Sequence, residues 1–270
     1  MKLVWTYDPT ILSHKPDWRI ILVNYYIHSI NCAKELGYYT IVYTLEESKK
    51  YFEHIADEVI LTESENSPLF DWIKIKVLES RADKYCLIDG DLILHERLPE
   101  VTTDIIIDCL EEEVWNGYAK AINLLTTLNI KEKLNIWTAE KLDVFNCGIL
   151  YIGNEEFKQL YIRTWKAYNE FVKENLESFS KSFESDLLQG FSRTEALPNN
   201  TATVYHATAV GAQYLLTLLA KTTGISYTVL QPKLNKKGEY YKHYSGAEKY
   251  KPLNPIPFKV FKEDKVKSII

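Results

Sequence analysis

Short apolar runs alternate with longer amphipathic stretches over the first 110 residues of the chain. The runs are rich in β-branched and aromatic residues and predict strands at residues 3–5, 39–43, 58–61, 85–94 and 104–109. Apolar residues recur at three- and four-residue steps between these runs, which predicts helices at 18–36 and 45–55 and after Ser67-Pro68. Alternating strands and helices predict an α/β fold with a mostly parallel sheet flanked by helices.

The second half of the chain continues this pattern less regularly. Residues 145–152 predict one further strand, and Asn154 is expected to cap a long helix with aromatic residues at helical spacing. A helix is predicted at 210–220 and a strand at 227–230, whereas the following residues are rich in Lys, Tyr and Pro and have little periodicity. Because no linker interrupts the sequence, we expect a single domain over residues 1–270.

Composition restricts the class of protein. With 46% hydrophobic and 26% charged residues, the chain has the composition of a globular protein. The formal net charge of -5 gives no support for nucleic-acid binding. No apolar run reaches the roughly 20 residues that a membrane span needs, although peripheral membrane contact remains compatible with the sequence. The four cysteines are far apart and lack zinc-site spacing, which favours a reduced, cytoplasmic protein.

Candidate chemistry is concentrated at Asp89-Gly90-Asp91, which interrupts the apolar run of residues 85–94. If the run is one strand, the two carboxylates lie on the same face, because side chains alternate along a strand. Like charges at that separation repel each other, and a divalent cation removes the repulsion. A turn between two short strands, with a permissive Gly90 and solvated aspartates, explains the same residues. This segment alone favours neither interpretation.

Two later segments complete a set of three motifs. Residues 145–154 read FNCGILYIGN, and residues 243–249 read HYSGAEK, with Pro252 following. With the Asp-Gly-Asp segment, they resemble GT-A glycosyltransferases, and most closely the family-eight branch that includes glycogenin and the bacterial lipopolysaccharide galactosyltransferases. That branch has a D-x-D strand, an F-N-x-G strand and a late H-x-x-G-x-x-K-P element. The resemblance extends over most of the chain, and the order of the motifs carries it.

The resemblance implies a site for Mn²⁺ or Mg²⁺ and for a nucleotide-diphosphate sugar, with a UDP-sugar as the expected donor. Asp89, Asp91 and His243 match the metal ligands of the family. Lys249 matches the lysine that contacts the diphosphate, with Lys251 as a rival because the Lys-Pro pair is altered here. The expected catalytic residues are therefore Asp89, Asp91 and Lys249. Taken singly, His243 and Lys249 are also explained as exposed surface residues.

The resemblance also assigns the surroundings of the donor. Lys74 matches a basic position on the helix before the metal strand, and Lys76 is a weaker candidate because it faces nearly the opposite side of that helix. Further expected donor contacts are Asn146, Gly148 and Gly246. Tyr7 follows the first strand and is a candidate for contact with the nucleobase, although a plain loop explains it too. Glu184 and Asp186 loosely resemble an acceptor-side element.

These assignments predict a metal-dependent glycosyltransferase that transfers a sugar to a saccharide or glycoconjugate acceptor, with retention of configuration. Residues 1–110 are expected to form the nucleotide- and metal-binding half. Residues 111–270 are expected to form the acceptor half and a C-terminal segment that closes over the donor site. A GT-A-like module that binds nucleotide sugars or glycans without turnover is the non-enzyme alternative.

Two other enzyme classes share features of the motif. A nucleotidyltransferase has a related fold but needs a glycine-rich loop after the first strand, and residues 6–10 contain no glycine. A haloacid-dehalogenase-type phosphatase carries Asp-x-Asp on its first strand, whereas three predicted strands precede Asp89 here. Both are therefore disfavoured.

Overall fold

The structure of the protein is a computed structural model that describes residues 1–9, 16–65, 67–100, 102–111, 116–179, 207–231 and 239–244. The described residues divide into two compact units. The first contains residues from 1–63, 84–100 and 239–244, and the second contains residues from 64–83 and 102–231. The expectation of a single domain over residues 1–270 stays a prediction.

A parallel sheet forms the centre of the first unit. Its strands are β1 (Lys2–Tyr7), β2 (Tyr39–Thr44), β3 (Glu58–Leu61) and β4 (Tyr85–Ile88). Within this unit the order is β4-β1-β2-β3, and every pairing is parallel. Val4 of β1 stands between Ile41 and Leu87, and all three are buried because the strand lies in the interior of the sheet.

One long helix and two short ones connect these strands. They are α1 (Pro16–Glu35), a 3₁₀ turn (Glu46–Ser48) and α2 (Lys49–Phe52). The indole Nε1 of Trp5 in β1 donates to Ser29 Oγ of α1 at 3.0 Å, which fixes the helix against the sheet. Gly37, with φ +76°, provides the left-handed residue that commonly follows a helix. The helix expected at residues 45–55 is present in part, as the 3₁₀ turn and α2.

An antiparallel pair of short strands continues the first unit beyond β4. Strand β5 (Leu92–Leu94) pairs with β11 (Tyr241–His243), and His243 stands opposite Leu92. Of the two interpretations of residues 85–94, the structure has the turn between two short strands and not the single strand, because the chain turns between Ile88 and Leu92. Part of the late region without periodicity is a strand, since β5 provides its hydrogen-bonding partner.

The second unit is built on a mixed sheet. Its strands are β6 (Ile105–Ile107), β9 (Ile149–Ile152) and β10 (Tyr227–Val229). Strand β6 pairs in parallel with β10 and antiparallel with β9. A separate small ladder joins β7 (Leu110–Glu111) to β8 (Val144–Phe145). The strand expected at residues 145–152 is present in part, as β9, because residues 146–148 separate it from β8. Across both units most pairings are parallel, and the α/β prediction is confirmed.

Helices cover the second unit. They are α3 (Trp72–Ser80), α4 (Asn116–Thr127), a 3₁₀ turn (Ile130–Glu132), α5 (Glu155–Glu174), a π-helical turn (Val210–Tyr214) and α6 (Leu215–Thr223). Asn154 caps α5 as expected, since its Oδ1 accepts from Phe157 N at 3.0 Å. Among the helices of the described ranges, none is long and apolar enough to cross a membrane.

The start of α3 differs from the sequence prediction. The helix begins at Trp72 rather than after Ser67, and Asp71 occupies its N-cap position. The hydroxyl of Ser67 is used elsewhere, because it accepts from Leu69 N at 3.1 Å and donates to Asn169 Oδ1 at 2.9 Å. Ser67 therefore stabilises the turn before the helix rather than the helix itself.

Candidate metal centre and its surroundings

The Asp-Gly-Asp segment is a tight turn at the carboxyl end of β4. The backbone N–H of Leu92 donates to Asp89 O at 3.1 Å and closes the turn. The backbone N–H of Tyr244, the residue after β11, donates to Asp91 O at 2.9 Å. These two bonds tie the turn to both strands of the β5–β11 pair. The segment is therefore the turn between two short strands that the sequence allowed. Its aspartates are not both solvated, as that interpretation assumed, because Asp91 is only 7% exposed.

Three groups with metal-ligand chemistry meet at this turn. A donor atom of each of Asp89, Asp91 and His243 lies within 4.8 Å of the donor atoms of the other two. His243 Nε2 is 3.4 Å from Asp91 Oδ1. His243 is buried and Asp89 is partly exposed, so the cluster is sheltered on one side and accessible on the other. The structure therefore brings together the three residues that were expected to bind metal.

The spacing of these groups fits a single divalent ion. Ligand atoms at about 2.1 Å from one ion are roughly 3 Å apart in adjacent positions and about 4.2 Å apart in opposite positions. The donor atoms of Asp89, Asp91 and His243 lie within 4.8 Å of one another, which is close to this range. A small side-chain movement would therefore bring all three into contact with one ion. Two carboxylates and one imidazole leave the remaining coordination positions of a six-coordinate ion for other ligands. The donor set suits Mn²⁺, because imidazole is a better ligand for it than for Mg²⁺.

Tyr26 of α1 is the neighbour of the turn that the sequence did not reveal. Its hydroxyl donates to Thr6 O of β1 at 2.8 Å. Burial of the hydroxyl group raises the pKa of Tyr26 well above its ordinary value, and the negative charges of Asp89 and Asp91 raise it further. The phenol is therefore neutral at physiological pH and lies within the electrostatic field of the two carboxylates.

Tyr7 lies in an aromatic cluster of the first unit rather than on an open loop. It is 1% exposed, and its ring meets the rings of Tyr26 and Phe52 edge-on with centroids 5.2 Å apart in both cases. Tyr51 joins the same cluster, with its ring centroid 6.5 Å from that of Tyr7. Packing explains the position of Tyr7, and its contact with a nucleobase stays a prediction.

In the second unit, three of the expected donor contacts share one neighbourhood. Lys74 Nζ of α3 donates to Cys147 O at 3.5 Å, so its ammonium group lies beside the segment that separates β8 from β9. In that segment Asn146 Nδ2 donates to Glu111 Oε1 at 2.7 Å, and Asn146 Oδ1 accepts from Gly148 N at 2.9 Å. The Asn146 amide thus shapes the loop in this structure. Its role toward a sugar stays a prediction, as does that of Gly148.

The two lysines of α3 have different surroundings. Lys76 forms an ion pair with Glu65 at 2.7 Å, and this pairing raises the pKa of its ammonium group. Lys74 lies near the carboxyl group of Asp71 instead, since its positive charge acts on the pKa of that carboxyl. This difference agrees with the expectation that the two side chains leave the helix in different directions.

Asp71 is a second feature that the sequence did not reveal. Its carboxylate is buried beneath α5, where Oδ2 accepts from Trp165 Nε1 at 2.9 Å. Oδ1 has no hydrogen-bond partner among the described residues. Burial raises the pKa of Asp71 to about 7, although the Trp165 bond and the charge of Lys74 act in the opposite direction. No local sequence signal distinguishes this aspartate from a helix cap, and only burial reveals its unusual state.

The remaining expected site residues lie outside the described residues. They are Gly246, Lys249 and its rival Lys251, together with the acceptor-side candidates Glu184 and Asp186. Their roles stay predictions.

Similar proteins were found only by structure. No protein-family model matches the chain, and no curated protein matches it in sequence. The chain is similar in structure to mouse xyloside xylosyltransferase 1 in its apo form, with 10% identity, 85% of this chain and 84% of that chain covered, and a TM-score of 0.39. It is also similar to the glycosyltransferase GlyE of Streptococcus pneumoniae TIGR4, with 9% identity, 87% and 67% coverage, and a TM-score of 0.34. Both structural neighbours are glycosyltransferases, and likenesses with such low TM-scores do not by themselves assign a function.

Proposed function

We propose that the protein is a metal-dependent glycosyltransferase of the GT-A type that uses a nucleotide-diphosphate sugar, most simply a UDP-sugar. The acceptor is a saccharide or glycoconjugate, and the family-eight resemblance of the motifs favours retention of configuration. The four cysteines form no disulfide, which supports a cytoplasmic location. One observation carries the proposal: Asp89, Asp91 and His243 converge at the carboxyl end of a parallel strand.

The position of this cluster supports ligand binding. In parallel α/β sheets, ligands bind beyond the carboxyl ends of the strands, and β4 ends one residue before Asp89. Two carboxylates kept close together by a closed turn are unfavourable unless a positive charge is shared between them. His243 arrives on a different strand and adds a neutral ligand without adding to the repulsion. The cluster therefore has the charge and composition of a cation site rather than of a structural ion pair.

The chemistry of sugar transfer is assisted by such a cation. A divalent ion bound here would act as a Lewis acid and as a template for the diphosphate leaving group, on which negative charge develops. Asp89, Asp91 and His243 would hold the ion, and Lys249 would place a further positive charge at the same phosphate oxygens. Lys74 is the described lysine proposed to lie near the donor. No protein nucleophile is assigned, because a front-face retaining transfer does not need one.

The first test is thermal unfolding with nucleotide diphosphates in the presence and absence of Mn²⁺. A ligand at 100 times its dissociation constant stabilises the native state by about 2.7 kcal/mol, which is visible as a higher melting temperature. We expect UDP to raise the melting temperature only when Mn²⁺ is present. The same sample would then be assayed for release of UDP from a panel of UDP-sugars, with and without saccharide acceptors.

Two variants make the test specific to the cluster. Asp91→Asn removes one of the three ligands and should abolish both the Mn²⁺-dependent shift and UDP release. Asp83→Asn removes a carboxylate that is paired with Arg81 at the surface, and it should leave both intact. A metal-dependent shift without turnover of any donor would favour the binding module over the enzyme. Equal behaviour of Asp91→Asn and the unmodified protein would refute the metal site.

A further inference from the structure

Helix α1 contacts the Asp89–Asp91 turn and its flanking strands at three successive points. The Ser29 hydroxyl donates to Leu92 O, directly after the turn, and accepts from Trp5 Nε1. The Tyr25 ring lies 5.5 Å from the ring of Tyr244, the residue that follows His243. Between these two contacts, Tyr26 faces the middle of the turn. One face of a single helix thus meets the chain at Gly90 between the two aspartates, at Leu92 directly after them, and at Tyr244 directly after His243.

The contact at Gly90 is the closest of the three. A Cβ atom built on Gly90 would lie 2.0 Å, 2.1 Å and 2.4 Å from Cε2, Cδ2 and Cγ of Tyr26. Gly90 is not among the glycines with positive φ in the described residues, so backbone conformation does not require glycine there. The ring of Tyr26 requires it, because any side chain would occupy the volume of the ring. Gly90 and Tyr26 therefore form one packing unit in which the ring rests on the backbone of the turn.

The ring itself is held from two sides. Its hydroxyl is bonded to Thr6 O of the central strand β1, and its edge meets the buried Tyr7 ring at a centroid distance of 5.2 Å. Phe52 of α2 adds a third aromatic contact, with ring centroids 6.1 Å apart. The ring cannot withdraw from Gly90 without breaking these contacts. It is a rigid support, connected to the sheet, for a turn that carries two mutually repelling carboxylates.

We propose that Tyr26 is a positioning residue for the metal ligands, holding the turn so that Asp89 and Asp91 face one ion together with His243. This inference rests on the proposed function, because it concerns the metal site on which that function depends. Without a cation, the repulsion between the carboxylates favours opening of the turn. The Tyr26 ring opposes that opening, so the backbone of the turn is ordered before the ion binds and only a small side-chain movement is left.

The test compares Tyr26→Ala with Tyr51→Ala, which removes a ring from the same aromatic cluster, whereas the three atoms nearest to a Cβ on Gly90 all belong to Tyr26. Mn²⁺ binding is measured from the free-ion signal in electron paramagnetic resonance, at a temperature where all proteins are folded. We expect Tyr26→Ala to weaken Mn²⁺ binding about tenfold to hundredfold, the usual effect of removing a group that orients metal ligands. Tyr51→Ala should bind Mn²⁺ as the unmodified protein does, and Tyr26→Phe should recover most of the affinity, because it retains the ring.

A second pair of variants covers the case in which Tyr26→Ala does not fold. Gly90→Ala keeps every ring of the cluster but forces the turn away from Tyr26, and it should also weaken Mn²⁺ binding. Combined with Tyr26→Leu, which removes the ring edge and keeps an apolar side chain, Gly90→Ala should be less harmful than it is alone. Equal Mn²⁺ affinity in the unmodified protein, Tyr26→Ala and Gly90→Ala would overturn the proposal while leaving the metal site intact.

Hydrogen exchange in metal-free protein separates this inference from the proposed function. The Leu92 amide, which closes the turn, should exchange faster in Tyr26→Ala than in Tyr51→Ala. Slow exchange in both variants would overturn the positioning role, whatever the metal does. In another outcome, the unmodified protein binds no Mn²⁺ while the Leu92 amide still exchanges faster in Tyr26→Ala than in Tyr51→Ala. In that case the metal site and the proposed function both fail, and the role of Tyr26 is limited to supporting the turn.

Discussion

Replacement of Asp71 by asparagine tests the most unusual electrostatic feature of the second unit. The Asp71 carboxyl is buried, has one hydrogen-bond donor in Trp165, and has a pKa of about 7 compared with 3.8 for an ordinary aspartate. Between these two values the folded protein keeps the proton and the unfolded chain loses it. Stability therefore falls as the pH rises from about 4 to about 7, and this contribution is constant above that window.

The magnitude is set by the difference between the two pKa values. One unit of difference is worth about 1.4 kcal/mol, so the two units between pH 5 and pH 7 amount to roughly 2.7 kcal/mol of lost stability. In Asp71→Asn the side chain would be neutral at every pH and would still accept the Trp165 bond through its amide oxygen. The variant should therefore lack this loss, and its stability relative to the unmodified protein should rise by about 2.5 kcal/mol between pH 5 and pH 8.

Urea unfolding at pH 5, 6, 7 and 8 measures this difference directly. The difference in unfolding free energy between Asp71→Asn and the unmodified protein at pH 5 reflects how well the asparagine amide fits the site. Only the change of that difference with pH tests the raised pKa of the Asp71 carboxyl. Asp143→Asn, at an exposed position of the same unit, should follow the pH dependence of the unmodified protein. Parallel stability curves for Asp71→Asn and the unmodified protein would refute the reasoning, because they would mean that Asp71 is ionised in the folded state at pH 5.

Two further stability effects depend on single hydrogen bonds in the second unit, both measurable by urea unfolding. Trp165→Phe removes the donor to Asp71 and should raise the pKa of that carboxyl further, so it should destabilise by up to about 1.4 kcal/mol more at pH 8, one unit above the present pKa, than at pH 5. A uniform loss across this range would contradict the assignment of the bond to the charged form. Asn154→Ala removes the cap of α5 and should destabilise by about 1 kcal/mol, whereas Asn154→Asp should retain most of the stability. If the alanine and aspartate variants are equally unstable, the side-chain cap is not what stabilises this helix end.

The elements predicted with success are those whose sequence contains both the apolar run and its boundary. β2 ends at Thr44, β3 begins at Glu58, and α5 begins after the capping Asn154, so local chemistry defines them. The run at residues 85–94 carries the same apolar character on both sides of its aspartates. Its local pattern was compatible both with one strand and with a turn at Gly90, and the structure shows the turn, with β5 paired to β11. A partner strand about 150 residues later in the chain contributes to this outcome, and the local pattern does not contain it.

The site was predictable to the extent that its residues have distinctive chemistry. Asp89, Asp91 and His243 could be proposed from residue type and motif order, and the structure brings them together. Tyr26 could not be proposed, because a tyrosine in an amphipathic helix has no special signature, and its role depends on the ring volume against Gly90. Asp71 fell in the first turn of the helix predicted after Ser67-Pro68 and had no special signature there, and its raised pKa arises from burial.

The late position of His243 in the sequence has a consequence for biosynthesis. Asp89 and Asp91 leave the ribosome together, but the imidazole follows about 150 residues later, on a strand that can form only after β5 is available to pair with it. A nascent chain that has passed Asp91 but not yet reached His243 would hold two of the proposed ligands without the third, so a divalent ion would be retained weakly. Tight capture of metal would follow the synthesis and pairing of β11, and the ion would then secure this strand to a turn made about 150 residues earlier.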